Sequence, residues 1–241
     1  MIALALFVAA AQGQPVAARV DAVRDGVVLM HYTPRAGVCS SYDGSFYTSG
    51  VTSRGQCEVG PAWVWMARSG GETINLHMRV GRRPPTADGE VDLGEVDADD
   101  AARYLTTAAR TLSTSNAERA LTAASIADVV NVGELFLPLV RDAGVRTDTR
   151  KSALFWAGQS DLPAARLVGV WSDLTSRELR KHFTFVLSQR RESAATEKLM
   201  DIARHDADRE VRKQALFWLG QIDDPRARDF LRTLILSDPD E

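Results

Sequence analysis

The sequence has no excess of positive charge, few histidines and no recognisable catalytic motif. Its 241 residues carry a formal net charge of -3 and a sequence pI of about 5.9, unlike the basic composition typical of nucleic-acid-binding proteins. It contains no P-loop, dinucleotide-binding glycine pattern or zinc signature. The four histidines are scattered and lack metal-ligand spacing: His31, His77, His182 and His205. We therefore expect no metal, no cofactor and no nucleic-acid partner.

A long apolar run is also missing. The run from Ile2 to Ala11 is too short to span a bilayer as a helix, and the small residues after it are typical of an A-x-A-like cleavage site. The pattern predicts a signal peptide over residues 1–14 and a secreted or periplasmic protein with no transmembrane span after its removal. No Lys or Arg precedes the run, so a buried N-terminal strand or helix is the alternative.

Cysteine is scarce, and the two present are Cys39 and Cys57. They flank a loop rich in Gly, Ser, Thr and Tyr, where neither thiol is needed for packing, and no CxxC spacing accompanies them. We predict a disulfide, which an oxidising compartment permits and which would stabilise the fold by about 3 kcal/mol. Two free thiols in a cytosolic protein are the alternative.

The loop between the cysteines is a candidate recognition loop. Surface loops that a rigid scaffold holds in place often carry binding residues, and a loop this long is usually functional or poorly ordered. The alternative is a stapled loop that only covers a sheet edge. The candidate partner-binding residues are Tyr42, Asp43, Phe46 and Tyr47.

Residues 15–96 have the pattern of a small antiparallel β-sheet domain. Two stretches rich in Val, Leu and Tyr surround the Asp25-Gly26 turn signal, and a second pair surrounds Ser69-Gly70-Gly71. Residues 82–90 have the composition of a linker. The predicted strands run from Val16 to Val23, Val27 to Thr33, Trp63 to Arg68 and Glu72 to Val80.

Residues 97–241 repeat one block along a predicted helical array. RKSALFWAGQ begins at Arg150, RKHFTFVLSQ at Arg180 and RKQALFWLGQ at Arg212, so the spacings are 30 and 32 residues. A degenerate first copy covers residues 119–127, and a further apolar stretch precedes each copy, at 101–112, 135–140, 164–171 and 196–203. Such a period is typical of an α-solenoid, whose units bury their apolar faces on each other. The predicted fold is mainly α, with about four helix-turn-helix repeats after the sheet.

The last repeat contains Asp206-Ala207-Asp208-Arg209-Glu210-Val211-Arg212, followed by Leu219-Gly220 and Asp224-Pro225. With these residues the chain resembles the HEAT and HEAT-like (PBS-lyase type) repeat family over residues 135–236. The resemblance implies that Asp206 and Arg212 tie adjacent repeats together, whereas Gly144 stands at the aspartate position in the Arg150 copy. It also implies a protein-binding scaffold, because most members of the family bind proteins and only a minority are chromophore lyases.

Two sets of repeated residues are candidate binding sites. Trp156 and Trp218 occupy the same place in their blocks, where packing between repeats is favoured over an exposed ridge that grips a peptide. Phe217 is expected to widen a mostly buried stripe. The basic residues at the block starts would form an edge for an acidic partner, although pairing with Asp148, Glu178, Asp208 and Glu210 is favoured. These candidate residues are Arg150, Lys151, Arg180, Lys181, Arg212 and Lys213.

The sequence is therefore interpreted as a non-enzymatic scaffold or adaptor that binds another protein or peptide. The repeats and the absence of a catalytic motif favour this interpretation. The competing hypothesis is an enzyme or small-ligand binder, for example a lyase-like one, that uses a pocket between sheet and repeats near Tyr42, Asp43 and His77.

Thiol titration tests the disulfide and the oxidising compartment. Natively purified protein, denatured without reductant, should show no reactive thiol, because Cys39 and Cys57 are joined. After reduction the same sample should show both thiols of the chain. Two reactive thiols before reduction would contradict the prediction.

Overall fold

The computed structural model describes residues 13–40, 46–47 and 57–237. Its contacts divide the chain into two compact units, residues 1–130 and 131–241. Most of the predicted signal peptide, together with Tyr42 and Asp43, lies outside the described residues. Among the helices of the described ranges, none is long and apolar enough to cross a membrane.

The first unit is built on a four-stranded sheet in the order β5-β4-β1-β6. Strands β4 and β5 form the hairpin predicted around Gly70-Gly71, and β1 pairs antiparallel with β4. Strand β6 lies parallel to β1. The sheet is therefore mixed rather than wholly antiparallel, because the chain crosses back after β5 to the opposite edge. The strands are β1 (Gly26–Tyr32), β2 (Cys39–Ser40), β3 (Phe46–Tyr47), β4 (Ala62–Ser69), β5 (Glu72–Val80) and β6 (Glu90–Glu95).

The predicted strand at residues 16–23 is wrong, because residues Val16–Asp21 form helix α1. Val16 and Val20 are both buried and lie one helical turn apart, so they share a face. The backbone N–H of Val16 donates to Oδ2 of Asp100 at 2.7 Å, which satisfies a donor at the start of the helix. The Asp25-Gly26 turn therefore connects a helix to β1 instead of joining two strands.

Helices α2 (Ala98–Ala108) and α3 (Thr114–Ile126) belong to the same compact unit as the sheet. Helix α3 packs on β4 and β5. Asn116 of α3 accepts from the N–H of Leu76 and donates to the carbonyl of Ile74, both at 3.1 Å. These bonds occupy backbone groups of the edge strand β5, which would otherwise be open to pairing with another strand. The degenerate block at residues 119–127 therefore lies almost entirely in helix α3, which protects the edge of the sheet.

A disulfide joins Cys39 to Cys57, the pairing that the sequence predicts. Cys39 lies in β2, which pairs with β3 in a separate two-stranded sheet. The hydroxyl of Ser40 donates to the carbonyl of Val80 at 2.7 Å, so β2 is anchored to the end of β5. The backbone of Phe46 and Tyr47 forms β3, and their side chains lie outside the described part of the structure.

The second unit is an array of helical pairs in two layers. Helices α5, α7 and α9 are neighbours in one layer, and α6, α8 and α10 are neighbours in the other. Helix α4 packs on α5, α8 packs on both α7 and α9, and α10 packs on α9. This is the predicted α-solenoid. The helices are α4 (Gly133–Arg141), α5 (Thr147–Gln159), α6 (Ala164–Val168), α7 (Arg177–Ser188), α8 (Ser193–His205), α9 (Arg209–Leu219) and α10 (Pro225–Ser237), with a 3-10 turn at Trp171–Asp173.

Helices α5 and α7, neighbours in one layer, approach closely at a glycine. Gly158 has no Cβ, and one built there would overlap Cγ1 of Val186. Gly220 occupies the same place in the last block, where an added Cβ would come no closer than 3.4 Å to the carbonyl oxygen of Phe217. The glycine is therefore required for packing in one copy and tolerant of a methyl group in the other.

Alanine substitutions at these two glycines test the close approach. Gly158→Ala should lower the free energy of unfolding by about 1–2 kcal/mol, because overpacking costs about 1–3 kcal/mol while alanine improves helix propensity by up to about 1 kcal/mol. The matched variant Gly220→Ala should be neutral or slightly stabilising. Urea denaturation measures both, and equal midpoints for the two variants would show that α5 and α7 are not in contact at Gly158.

Candidate protein-binding surface on the helical repeats

The arginines that open the three blocks point into the array. Arg180 pairs with the carboxylate of Asp206, whose side chain is fully buried. Arg212 donates to the backbone carbonyl of Asp206 at 2.6 Å. The family resemblance implies that Asp206 and Arg212 join adjacent repeats. The carboxylate of Asp206 joins the repeats by pairing with Arg180 of the preceding block, while Arg212 binds the main chain of its own turn.

Arg150 lacks this carboxylate partner. Leu174 stands six residues before Arg180, where Asp206 stands before Arg212, and the neighbouring Asp173 pairs with Arg141 at 3.0 Å. Its Nε donates to the carbonyl of Val140 at 2.9 Å, and its Nη2 is buried without a hydrogen-bond partner in the described structure. Since the residue is only 5% exposed, Arg150 links α4 to α5 and is closed to a partner.

Arg190 makes a further link that sequence reasoning missed. Its guanidinium donates to the carbonyls of Gly158 and Ser160 at 2.8 Å and of Leu162 at 2.7 Å. These carbonyls lie at and beyond the C-terminal end of α5, where backbone acceptors lack helical partners. Glu192 holds the guanidinium from the other side, and that hydrogen bond lowers the pKa of the Glu192 carboxyl. Arg190 lies just after its block, so the repeat pattern gives no signal for it.

The lysines beside the block arginines point outward. Lys151 bonds to Asp148 at 3.4 Å and, more closely, to Glu178 of the next block, and this second bond raises the pKa of the Lys151 ammonium. Lys213 pairs with Glu210 at 3.1 Å. Lys181 makes no hydrogen bond or ion pair through its ammonium within residues 57–237. The predicted pairing with acids thus accounts for Lys151 and Lys213.

One helical turn after each lysine lies an aromatic residue of a continuous row. Phe155 stacks on Phe185 of the next repeat, with ring centroids 6.4 Å apart and planes at 2°. Phe185 contacts Trp218 of the last repeat at 5.2 Å. Trp156 and Phe217 extend the two ends, at 5.1 Å from Phe155 and 4.9 Å from Trp218. We call these five residues the aromatic row: Trp156, Phe155, Phe185, Trp218 and Phe217.

The aromatic row is only partly covered. Helix α9 buries Val211, Ala215 and Leu219, whereas Phe217 is 55% exposed and Trp218 is half-buried. The predicted packing between repeats is present in the ring contacts. The prediction that Phe217 widens a buried stripe is wrong, because no neighbouring helix in the described structure covers that side of α9.

His182 supports the middle of the row. Its Nε2 lies 3.1 Å from the carbonyl oxygen of Lys151, and its ring lies 5.8 Å from that of Phe185. Burial lowers its pKa, which outweighs the opposing effect of the hydrogen bond to Lys151. At neutral pH the imidazole is therefore uncharged, in keeping with its contact with apolar rings.

One turn after the phenylalanines comes a third set of matching positions. Gln159, Gln189 and Gln221 close the three blocks and are all exposed. The amide of Gln189 donates to the hydroxyl of Ser188 at 3.3 Å. Gln159 and Gln221 make no side-chain hydrogen bond within the described ranges. Lysine, phenylalanine and glutamine thus follow one another at intervals of four on one face of α5, α7 and α9.

The first unit holds a cleft of about 960 Å³, lined by residues from α1, β4, β5, α2 and α3. Its buried polar groups already have partners: Arg68 donates to Thr73 Oγ1 at 3.0 Å and to the carbonyl of Gly71 at 2.6 Å. His77, a residue of the competing enzyme hypothesis, stacks on Trp65 at 5.3 Å, and burial lowers its pKa. Within the described residues, no group of three or more His, Cys, Asp or Glu side chains could hold a metal ion.

Comparison with known proteins finds a match within the second unit. Residues 147–241 match the family model described as HEAT repeats. No curated protein and no solved structure matches the chain.

Proposed function

We propose that the HEAT repeats of this chain bind a partner protein, and that the aromatic row receives an extended segment of that partner. Solenoids expose long surfaces that run across successive repeats and serve in binding. The row crosses three blocks in this way, from Trp156 on α5 to Phe217 on α9. A scaffold or adaptor role, without chemistry of its own, follows from this proposal.

The observation that carries the proposal is a contiguous aromatic surface that ends in the exposed Phe217 and whose other rings are half-buried. Aromatic residues contribute large areas to interfaces, and each buried Å² of apolar surface is worth about 25 cal/mol. The cluster is also rigid, because the rings contact each other across the repeats and the ties of Arg180 and Arg190 hold the helices in register. A rigid surface loses little conformational entropy when a partner binds.

The spacing of the helices suggests an extended occupant. Packed helices lie about 8–10 Å apart, and an extended chain in the polyproline II conformation advances about 3.1 Å per residue and completes a turn every three residues. About every third residue of such a segment would meet the row. Gln159, Gln189 and Gln221 supply both donors and acceptors beside the row, suited to the backbone of an extended chain.

We further propose that the protein acts outside the cytoplasm, in the periplasm or as a secreted protein. The Cys39–Cys57 disulfide supports this location, since such bonds persist in oxidising compartments. The apolar run and small residues near the start of the sequence support it independently. The candidate loop residues Tyr42, Asp43, Phe46 and Tyr47 remain a second proposed contact region.

Substitution of the most exposed ring tests the role of the row. A peptide of about 12 residues, selected on the wild-type protein from a random library, should bind Phe217→Ser about tenfold more weakly, because hot-spot aromatics contribute about 1–2 kcal/mol or more. Titration monitored by intrinsic tryptophan fluorescence measures the change.

The control is Ile235→Ser on α10, where the side chain is 75% exposed. Both variants should keep the wild-type melting temperature, since exposed side chains contribute little to stability. Unchanged affinity in Phe217→Ser, or an equal loss in Ile235→Ser, would contradict the assignment of the row as the binding surface.

A further inference from the structure

Most carboxylates on the face that carries the aromatic row are already neutralised. Glu178 is bound by Lys151, and Glu210 by Lys213. Asp148 also contacts Lys151. In the turn before α9, Asp206 and Asp208 are bound by Arg180 and Arg177. The acids at the starts of α5, α7 and α9 therefore have little negative charge to offer a partner.

Cations outnumber these acids on the same three helices and their flanking residues: the hydrogen bond from Lys213 and the charges of Lys181 and Arg209 all act on Glu210 and lower the pKa of its carboxyl. Within residues 57–237, four of these cations make no side-chain hydrogen bond or ion pair: Arg146, Lys181, Arg191 and Arg209. Asp161 is an acid of the same segments that also lacks a bonded partner there. The whole chain has a net charge of -3, so this face carries a local surplus of positive charge that the overall composition conceals.

The positive charge lies on the side of the aromatic row where the helices begin. Lys181 is one turn before Phe185, and Arg209 is two turns before Phe217 on α9. On the other side, Arg191 lines two clefts between successive repeats, of about 480 and 540 Å³, whose linings also hold the acids Asp161, Glu192, Asp223 and Asp224. That side is mixed in charge, so the surplus of positive charge borders the row only at Lys181 and Arg209.

We infer that the occupant of this face is an acidic extended segment in the polyproline II conformation, with apolar side chains at about every third position and carboxylates between them. The inference rests on the proposed function and specifies the chemistry of the partner. The apolar side chains lie on the aromatic row, and the carboxylates meet Lys181 and Arg209 beside it. Complementary charge of this kind selects the partner and speeds its association.

The test uses the full chain and three labelled peptides of about 12 residues, each with Leu at every third position. The intervening positions carry Glu, Gln or Lys. Fluorescence anisotropy should show the Glu peptide binding about tenfold more tightly than the Gln peptide, with the Lys peptide weakest. The preference should shrink as NaCl rises from about 50 to about 500 mM, because salt screens exposed charges.

Charge reversal locates the contact. Lys181→Glu and Arg209→Glu should each weaken binding of the Glu peptide by about threefold to tenfold and leave binding of the Gln peptide unchanged. The control is Arg232→Glu on α10, a side chain that is 74% exposed. It should alter neither affinity.

The outcomes separate this inference from the proposed function. Equal affinity for the Glu and Gln peptides, both lost in Phe217→Ser, would overturn the acidic preference and keep the aromatic row as a binding surface. Equal binding of a Glu peptide with Ala in place of Leu would also overturn the inference, since charge alone would explain it. Failure of all three peptides to bind would count against both proposals.

Discussion

The repeat surface depends on the hydrogen bonds that Arg190 donates to the end of α5. One guanidinium joins three backbone carbonyls of the preceding repeat, while Arg180 reaches forward to Asp206 of the next. The middle block is therefore fastened on both sides by half-buried, charge-assisted bonds, which are stronger than neutral ones. These bonds fix the spacing at which Phe155 and Phe185 stack.

These bonds also explain why some residues of the block point inward and hold the structure, while others point outward. Arginine turns inward because its planar fork can satisfy several acceptors at once. The following lysine, the central phenylalanine and the closing glutamine turn outward at intervals of one turn. Because structural bonding is assigned to Arg180, Arg190 and Arg212, the outward residues are available for recognition.

The sequence predicted the solenoid, the β4–β5 hairpin and the Cys39–Cys57 bond, because each has a local signature: a period, a glycine turn and an isolated cysteine pair. It did not predict β6, which begins at the last residue of the predicted linker 82–90 and whose pairing with β1 is remote in sequence. The exposure of Phe217 was also missed. Periodicity shows which residues are apolar, but whether a neighbour covers them depends on the tertiary arrangement.

Photocrosslinking in cells would test the central claim most directly, that a partner docks on the outer face of α5, α7 and α9. The full chain would carry p-benzoylphenylalanine in place of Phe217, on the aromatic row, or of Ile235, on α10. The account predicts a specific crosslinked partner from position 217 that disappears when Lys181→Glu and Arg209→Glu are combined, and none from position 235. A partner captured only from position 235 would contradict it.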